Sequence, residues 1–115
     1  GACATILKAF FNEDFVIPNP VQTNLDGSAL EPWQGESLTL GNEINKLANN
    51  ISLGRDAGGV HYRTDGSQGM LIGEDLAISM LRDYSRTYNE QFDGFVLTKF
   101  DGKKVKVVKG EVVSV

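Results

Sequence analysis

A chain of 115 residues has room for one domain with a core of its own. Its net charge of −4, from 15 acidic and 11 basic residues, gives no electrostatic footprint for nucleic acid. No apolar run reaches the roughly 18 residues of a membrane-spanning helix, and no signal peptide is visible. We therefore expect neither a nucleic-acid nor a membrane partner. The single cysteine, Cys3, excludes an intrachain disulfide and a cysteine-based metal centre.

Cys3, Ile6 and Phe10 recur at helical spacing and predict a helix over about residues 2–11 with those side chains on one face. No Ser, Thr, Asp or Asn caps its first amides, and no initiating Met precedes it. Both features predict that more chain lies upstream. Residues 12–36 hold Pro18, Pro20 and Pro32 and an Asp26-Gly27 turn signal. They predict a long irregular stretch, anchored by the packing of Trp33, the only tryptophan. So long a loop is unusual in a compact domain and is less odd if it lies against protein outside this chain.

A second helix is predicted over about 40–55, with Leu40, Ile44, Leu47, Ala48 and Ile51 as its apolar stripe and Thr39 or Ser37 as its cap. A third follows over about 66–88, with Asp65 as N-cap and Gln68 completing a capping box. Met70, Ala77, Leu81, Tyr84 and Tyr88 mark one face, and Gly66, Gly69 and Gly73 leave a bare strip. Each glycine costs a helix about 1 kcal/mol relative to alanine, which close packing of a helix or a ligand would offset. Residues 95–115 change period. Asp101-Gly102 is a hairpin signal, and valines alternate with Lys103, Lys104, Lys106 and Lys109, the wet face of two or three antiparallel strands. The sum is a mainly α single domain with a small C-terminal antiparallel β-hairpin or sheet.

His61 is the only histidine; Arg55 precedes it by six residues and Asp65 follows by four. That spacing alone is weak, but one chemistry unites the stretch. An oxyanion site needs a cation able to form paired hydrogen bonds, and arginine is suited to that. It needs backbone that approaches the anion closely, which Gly58 and Gly59 permit. It gains from the amides of a helix N-terminus. A neutral imidazole completes it, as a ligand to the central atom or as a nucleophile.

The run Gly54-Arg55-Asp56-Ala57-Gly58-Gly59-Val60-His61-Tyr62-Arg63-Thr64-Asp65-Gly66 resembles the last signature of the vanadium haloperoxidases and the related phosphatases of the PAP2 superfamily. That signature is an arginine, five residues, a histidine, three residues and an aspartate. The stretches 43–48 and 68–74 resemble its flanks in algal and bacterial bromoperoxidases. The opening Gly1–Ala9 resembles the helix directly after that family's Pro-Ser/Thr-Gly-His motif. The resemblance implies the C-terminal portion of a helical-bundle haloperoxidase fold. It implies that His61 is the catalytic ligand to vanadium and that Arg55 hydrogen-bonds the vanadate oxygens. Asp65 holds the family's acidic position, orienting neighbouring polar groups or capping a helix. Thr64 departs from an aromatic residue common there, which puts the local packing in question.

The implied cofactor is vanadate, with phosphate or another oxyanion able to take its place. The implied reaction is two-electron oxidation of a halide, bromide first, by hydrogen peroxide. The implied partners are the N-terminal part of the same protein and further copies in a homo-oligomer. The chain has no Pro-Ser-Gly-His segment and no second histidine. The family's lysine and further arginine belong to an earlier motif. One arginine does not neutralise a multiply charged oxyanion in a partly buried site. The chain alone is therefore expected to be inactive and to bind vanadate weakly or not at all. Two other readings stand beside this one: a phosphatase with His61 as nucleophile, and a non-catalytic assembly module that folds against a partner.

Overall fold

The computed structural model describes all 115 residues, Gly1–Val115. Helix α3 (Arg63–Thr87) is the backbone of the arrangement. Helices α1 (Ala2–Phe10) and α2 (Leu40–Ala57) pack along it, and a three-stranded sheet closes over its C-terminal half. That sheet is β3 (Phe95–Thr98), β4 (Lys104–Val108) and β5 (Glu111–Ser114), antiparallel in the order β3-β4-β5. A separate hairpin, β1 (Val21–Thr23) with β2 (Leu30–Pro32), lies between α1 and α2 in sequence. At 45% helix and 18% strand, the chain is a mixture of the two, less helical than "mainly α" suggests.

The core forms where helix meets sheet. Ile78 and Leu81 of α3 pack on Leu97, Val105 and Val107, with Ile6, Ala9 and Phe95 around them. Leu97 stands opposite Val105, so both point to the same face, while Lys104 and Lys106 turn outward. The alternation expected of this strand is thus present. Lys109 and Gly110, at φ 50° and 83°, make the two-residue turn into β5, of the kind whose twist suits a hairpin. The turn is fastened to α3: the Gly110 amide donates to Ser85 Oγ at 2.7 Å, and Arg82 Nε donates to the Gly110 carbonyl at 2.9 Å.

Helix α1 departs from its expected face. Phe10 is 76% exposed and Cys3 is exposed, whereas Ala4, Thr5 and Lys8 are buried. The reason is polar. Lys8 is 1% exposed, and its Nζ donates to the Thr98 carbonyl at 2.6 Å and sits 4.5 Å from the Phe100 ring centroid. Two buried carboxylates surround the same strand end. Glu13 accepts from the Thr98 amide at 3.0 Å and from its hydroxyl at 2.6 Å. Glu74 accepts from the Phe100 amide at 2.6 Å, with Lys99 Nζ at 3.7 Å. A stripe rule weighs hydrophobicity alone and misses a lysine whose stem is apolar and whose head finds partners.

Residues 12–36 are less irregular than expected. Val21 pairs with Pro32 and Thr23 with Leu30 around a turn where Gly27 has φ 72°. Pro32 sits at the end of an edge strand, where a missing amide is tolerated. Three-residue strands carry too little alternation to reveal themselves. Trp33 is exposed rather than packed, and it ties the segment by hydrogen bonds instead: its amide donates to the Pro20 carbonyl at 2.9 Å and its Nε1 to the Glu36 carbonyl at 2.8 Å. Thr39 caps α2, accepting from the Asn42 amide at 3.4 Å. The α2 stripe is covered in part: Leu40, Ile44 and Ala48 are half-buried, while Leu47 and Ile51 are 61% and 62% exposed.

Removing one partner of a buried charge leaves the others uncompensated, so Glu74→Ala is expected to lower the unfolding free energy in urea by about 3 kcal/mol. Asp83→Ala, which breaks an exposed pair with Arg86, should change it by under about 0.5 kcal/mol. Equal effects would contradict the network's importance. Burial lowers the Lys8 pKa below its ordinary 10.5, against the opposing pull of Glu13 and Glu74. Between the lowered value and 10.5 the unfolded chain holds more proton, so stability rises with pH across that window. Lys8→Met should lack this rise in alkaline urea titrations; an identical rise in both proteins would refute it.

Candidate functional site at the corner of α2 and α3

The corner is tighter than the sequence predicts, because both helices are longer at this end. α2 runs on to Ala57 rather than stopping near Arg55, and the Gly58 amide donates to the Gly54 carbonyl at 3.0 Å. Gly59, at φ 70°, then turns the chain through a conformation that side chains disfavour. α3 starts at Arg63, three residues before the expected Gly66. Asp65 is consequently not the N-cap. It is the third residue of the helix, and its Oδ2 accepts from the Tyr62 amide at 3.0 Å. That is the acidic arm of a capping box, so Gln68 has no part in one.

His61 stands just ahead of this helix start. Its Nδ1 lies 3.6 Å from Asp65 Oδ2, longer than a hydrogen bond but close enough for the carboxylate to orient the ring. The opposite ring edge carries Nε2. The imidazole is 46% exposed. Arg55, on the last turn of α2, is exposed. Arg55, His61 and Asp65 line one cleft of about 260 Å³ at the α2–α3 corner. The structure therefore brings together all three residues singled out from sequence.

Two further polar side chains face the same cleft, Ser52 and Asp56. Sequence reasoning passed over both. Ser52, Arg55 and Asp56 share a helical face at offsets of 0, 3 and 4, but only if α2 continues past Arg55. The Asp56 Oδ1 is buried and has no hydrogen-bond partner.

The glycine strip of α3 divides by position. A side chain at Gly66 would collide with Ser52 Oγ, and one at Gly73 with the backbone of Gly1 and Ala2. These two let neighbouring helices approach closely. Gly69 faces open space and lines the cleft wall. An oxyanion placed here would meet an imidazole, a guanidinium and the favourable end of the α3 dipole. It would also meet two carboxylates. The donor set fits such a ligand in kind but falls short in positive charge.

No protein-family model matches the chain. Curated proteins do. It is 44% identical over 109 residues to the vanadium-dependent bromoperoxidase of Corallina officinalis, and 43% identical over 109 residues to that of Corallina pilulifera. It is 40% identical over 110 residues to the vanadium-dependent bromoperoxidase of Ascophyllum nodosum. Each alignment covers 93% of the chain. The chain is a homologue of the vanadium-dependent bromoperoxidases. It spans only 18–20% of the length of these bromoperoxidases. Its fold also superimposes on the homohexameric second vanadate-dependent bromoperoxidase of Ascophyllum nodosum, with a TM-score of 0.77 and 25% identity. That match covers 96% of the chain and 25% of the bromoperoxidase subunit.

The two kinds of glycine should respond oppositely to a methyl group. Gly73→Ala is expected to destabilise by about 1–3 kcal/mol, since α1 must shift. Gly69→Ala meets nothing and should gain up to about 1 kcal/mol of helix stability. Urea unfolding of the two variants checks this; a stabilising Gly73→Ala would show that α1 does not pack there.

Proposed function

We propose that this chain supplies the vanadate-ligating corner of a vanadium-dependent haloperoxidase of the bromoperoxidase type, on the helical-bundle fold of that superfamily. The observation that supports this most is the shared cleft of His61 and Arg55, with Asp65 behind the His61 ring. Ligating histidines generally have their second nitrogen directed at a carboxylate or carbonyl, which fixes ring orientation. With Nδ1 towards Asp65, Nε2 is the atom left to bind. Arg55 would hydrogen-bond the oxygens of the anion and offset part of their charge. When bound, vanadate supplies a Lewis-acid centre at which hydrogen peroxide oxidises a halide, bromide first, by two electrons.

The chain spans about a fifth of its curated relatives, and the remaining cations of the pocket are proposed to come from the rest of the protein. A pocket with Arg55 opposed by Asp56 and Asp65 should hold vanadate weakly, and the chain alone should not turn over. The uncovered Leu47 and Ile51 on α2 favour the same view, because exposed apolar stripes of this kind are normally covered by a partner surface. Assembly into a homo-oligomer, as in the hexameric structural relative, belongs to this proposal.

The complete protein, reconstituted with vanadate, is expected to oxidise bromide with hydrogen peroxide. His61→Ala should abolish that activity, and Arg55→Ala should lower it by about a hundredfold or more. The 115-residue chain alone should show none. Hydrolysis of phosphate esters without vanadate, and no halide oxidation with it, would instead make His61 a phosphatase nucleophile.

A further inference from the structure

We propose that the free edge of β5 pairs antiparallel with β5 of a second copy of this chain, joining the two three-stranded sheets into one across a two-fold axis. The inference rests on the homo-oligomer reading above and names a surface for it. The vanadate site does not depend on it.

The two edges of the sheet differ. Along β3, Leu97 faces Val105 and the Lys99 amide donates to the Lys103 carbonyl, so the backbone groups of Thr98 point away from β4. They are taken: Glu13 accepts from the Thr98 amide, and Lys8 donates to the Thr98 carbonyl. That edge is plugged. On the other side, Val108 faces Glu111 across the two-residue turn, and the Val115 amide donates to the Lys104 carbonyl. Glu111, Val113 and Val115 therefore direct their backbone groups to β4, and the amides and carbonyls of Val112 and Ser114 point outward. Side-chain bonds reach the turn at Gly110 and go no further, and all four residues of β5 are exposed. An open strand edge is a template for another strand, and edges meant to stay unpaired are blunted with lysine, proline or a bulge. β5 has none of these: its register with β4 is continuous, and its one charge is Glu111.

A second copy fits this edge because the edge is self-complementary. With the strand reversed about Val113, Val112 of each copy meets Ser114 of the other, and each such pair exchanges both backbone bonds. That register uses every outward group. Val113 then stands opposite its own counterpart as a non-hydrogen-bonded pair. Glu111 falls opposite Val115, away from the other Glu111, so like charges do not meet. Because the β3 edge is plugged, the pairing closes after two copies instead of running on into a fibre.

The test places a cysteine at position 112, 113 or 114 of the complete protein and oxidises it with diamide. Non-hydrogen-bonded partners stand about 4.5 Å apart at Cα, within reach of a disulfide. Val113→Cys should therefore join position 113 of two copies, as read by mass spectrometry of the digest, at least about tenfold faster than Val112→Cys or Ser114→Cys joins its own position. Ser114→Pro removes an outward amide and no bond to β4. Added to Val113→Cys, it should abolish the cross-link while circular dichroism shows the fold unchanged. Equal cross-linking at all three positions would overturn the proposal, as would a cross-link that survives in the folded proline variant. An oligomer that never joins position 113 would overturn this surface and leave the homo-oligomer reading standing; a monomeric protein would overturn both. Bromide oxidation by the same samples reports on the haloperoxidase reading separately.

Discussion

A lysine sealed between a helix and the end of a strand sets the terms for the rest of this chain. Lys8 is almost wholly buried, and burial of an ammonium is tolerated only where partners surround it. The Thr98 carbonyl, the Phe100 ring, and the carboxylates of Glu13 and Glu74 provide that setting. The same carboxylates also accept from the backbone amides of Thr98 and Phe100, where β3 ends. One polar knot thereby joins α1, the segment after it, α3 and the sheet. The apolar core of Ile78, Leu81, Leu97, Val105 and Val107 supplies burial, and the knot fixes which face of α1 is turned inward.

That choice of face reaches the cleft. With Ala4, Thr5 and Lys8 inward, the start of α1 lies against Gly73 and Met70 of α3. Gly1 and Met70 then line the same cleft as Arg55 and His61. The other wall is made by α2, held close to α3 where Gly66 admits Ser52. A site of this kind depends on helix positions, so its geometry follows from packing several residues away from the reacting groups. The cleft is polar and short of positive charge, and the flank of α2 beside it is apolar and uncovered. Both features suit a corner that is completed by other surfaces.

Much of this was legible in the sequence where the signal was local. The three helices, the valine–lysine alternation of β4 and the turn residues Asp101-Gly102 are short-range patterns, and each is present, whereas Lys109, expected on the wet face of a strand, sits in the turn before β5. The grouping of Arg55, His61 and Asp65 was legible through its spacing and its resemblance to the haloperoxidase signature. What was not legible depends on distant partners. Lys8 reads as a surface residue until Thr98, ninety positions away, is placed beside it. The start of α3 was set three residues late because Asp65 suits both an N-cap and the third helical position, and only the Tyr62 amide decides between them. The same kind of error at the end of α2 hid Asp56 from the site. The β1–β2 hairpin is too short to show a period.

The central claim is that His61 and Arg55 form the binding corner of a vanadate site. The most direct measurement is a crystal structure of the complete protein grown with vanadate. The account predicts vanadium bonded to Nε2 of His61, with Arg55 donating to the vanadate oxygens and Nδ1 turned towards Asp65. Vanadium bound elsewhere, or a fully reconstituted enzyme in which Arg55 and His61 face solvent with no anion between them, would contradict it.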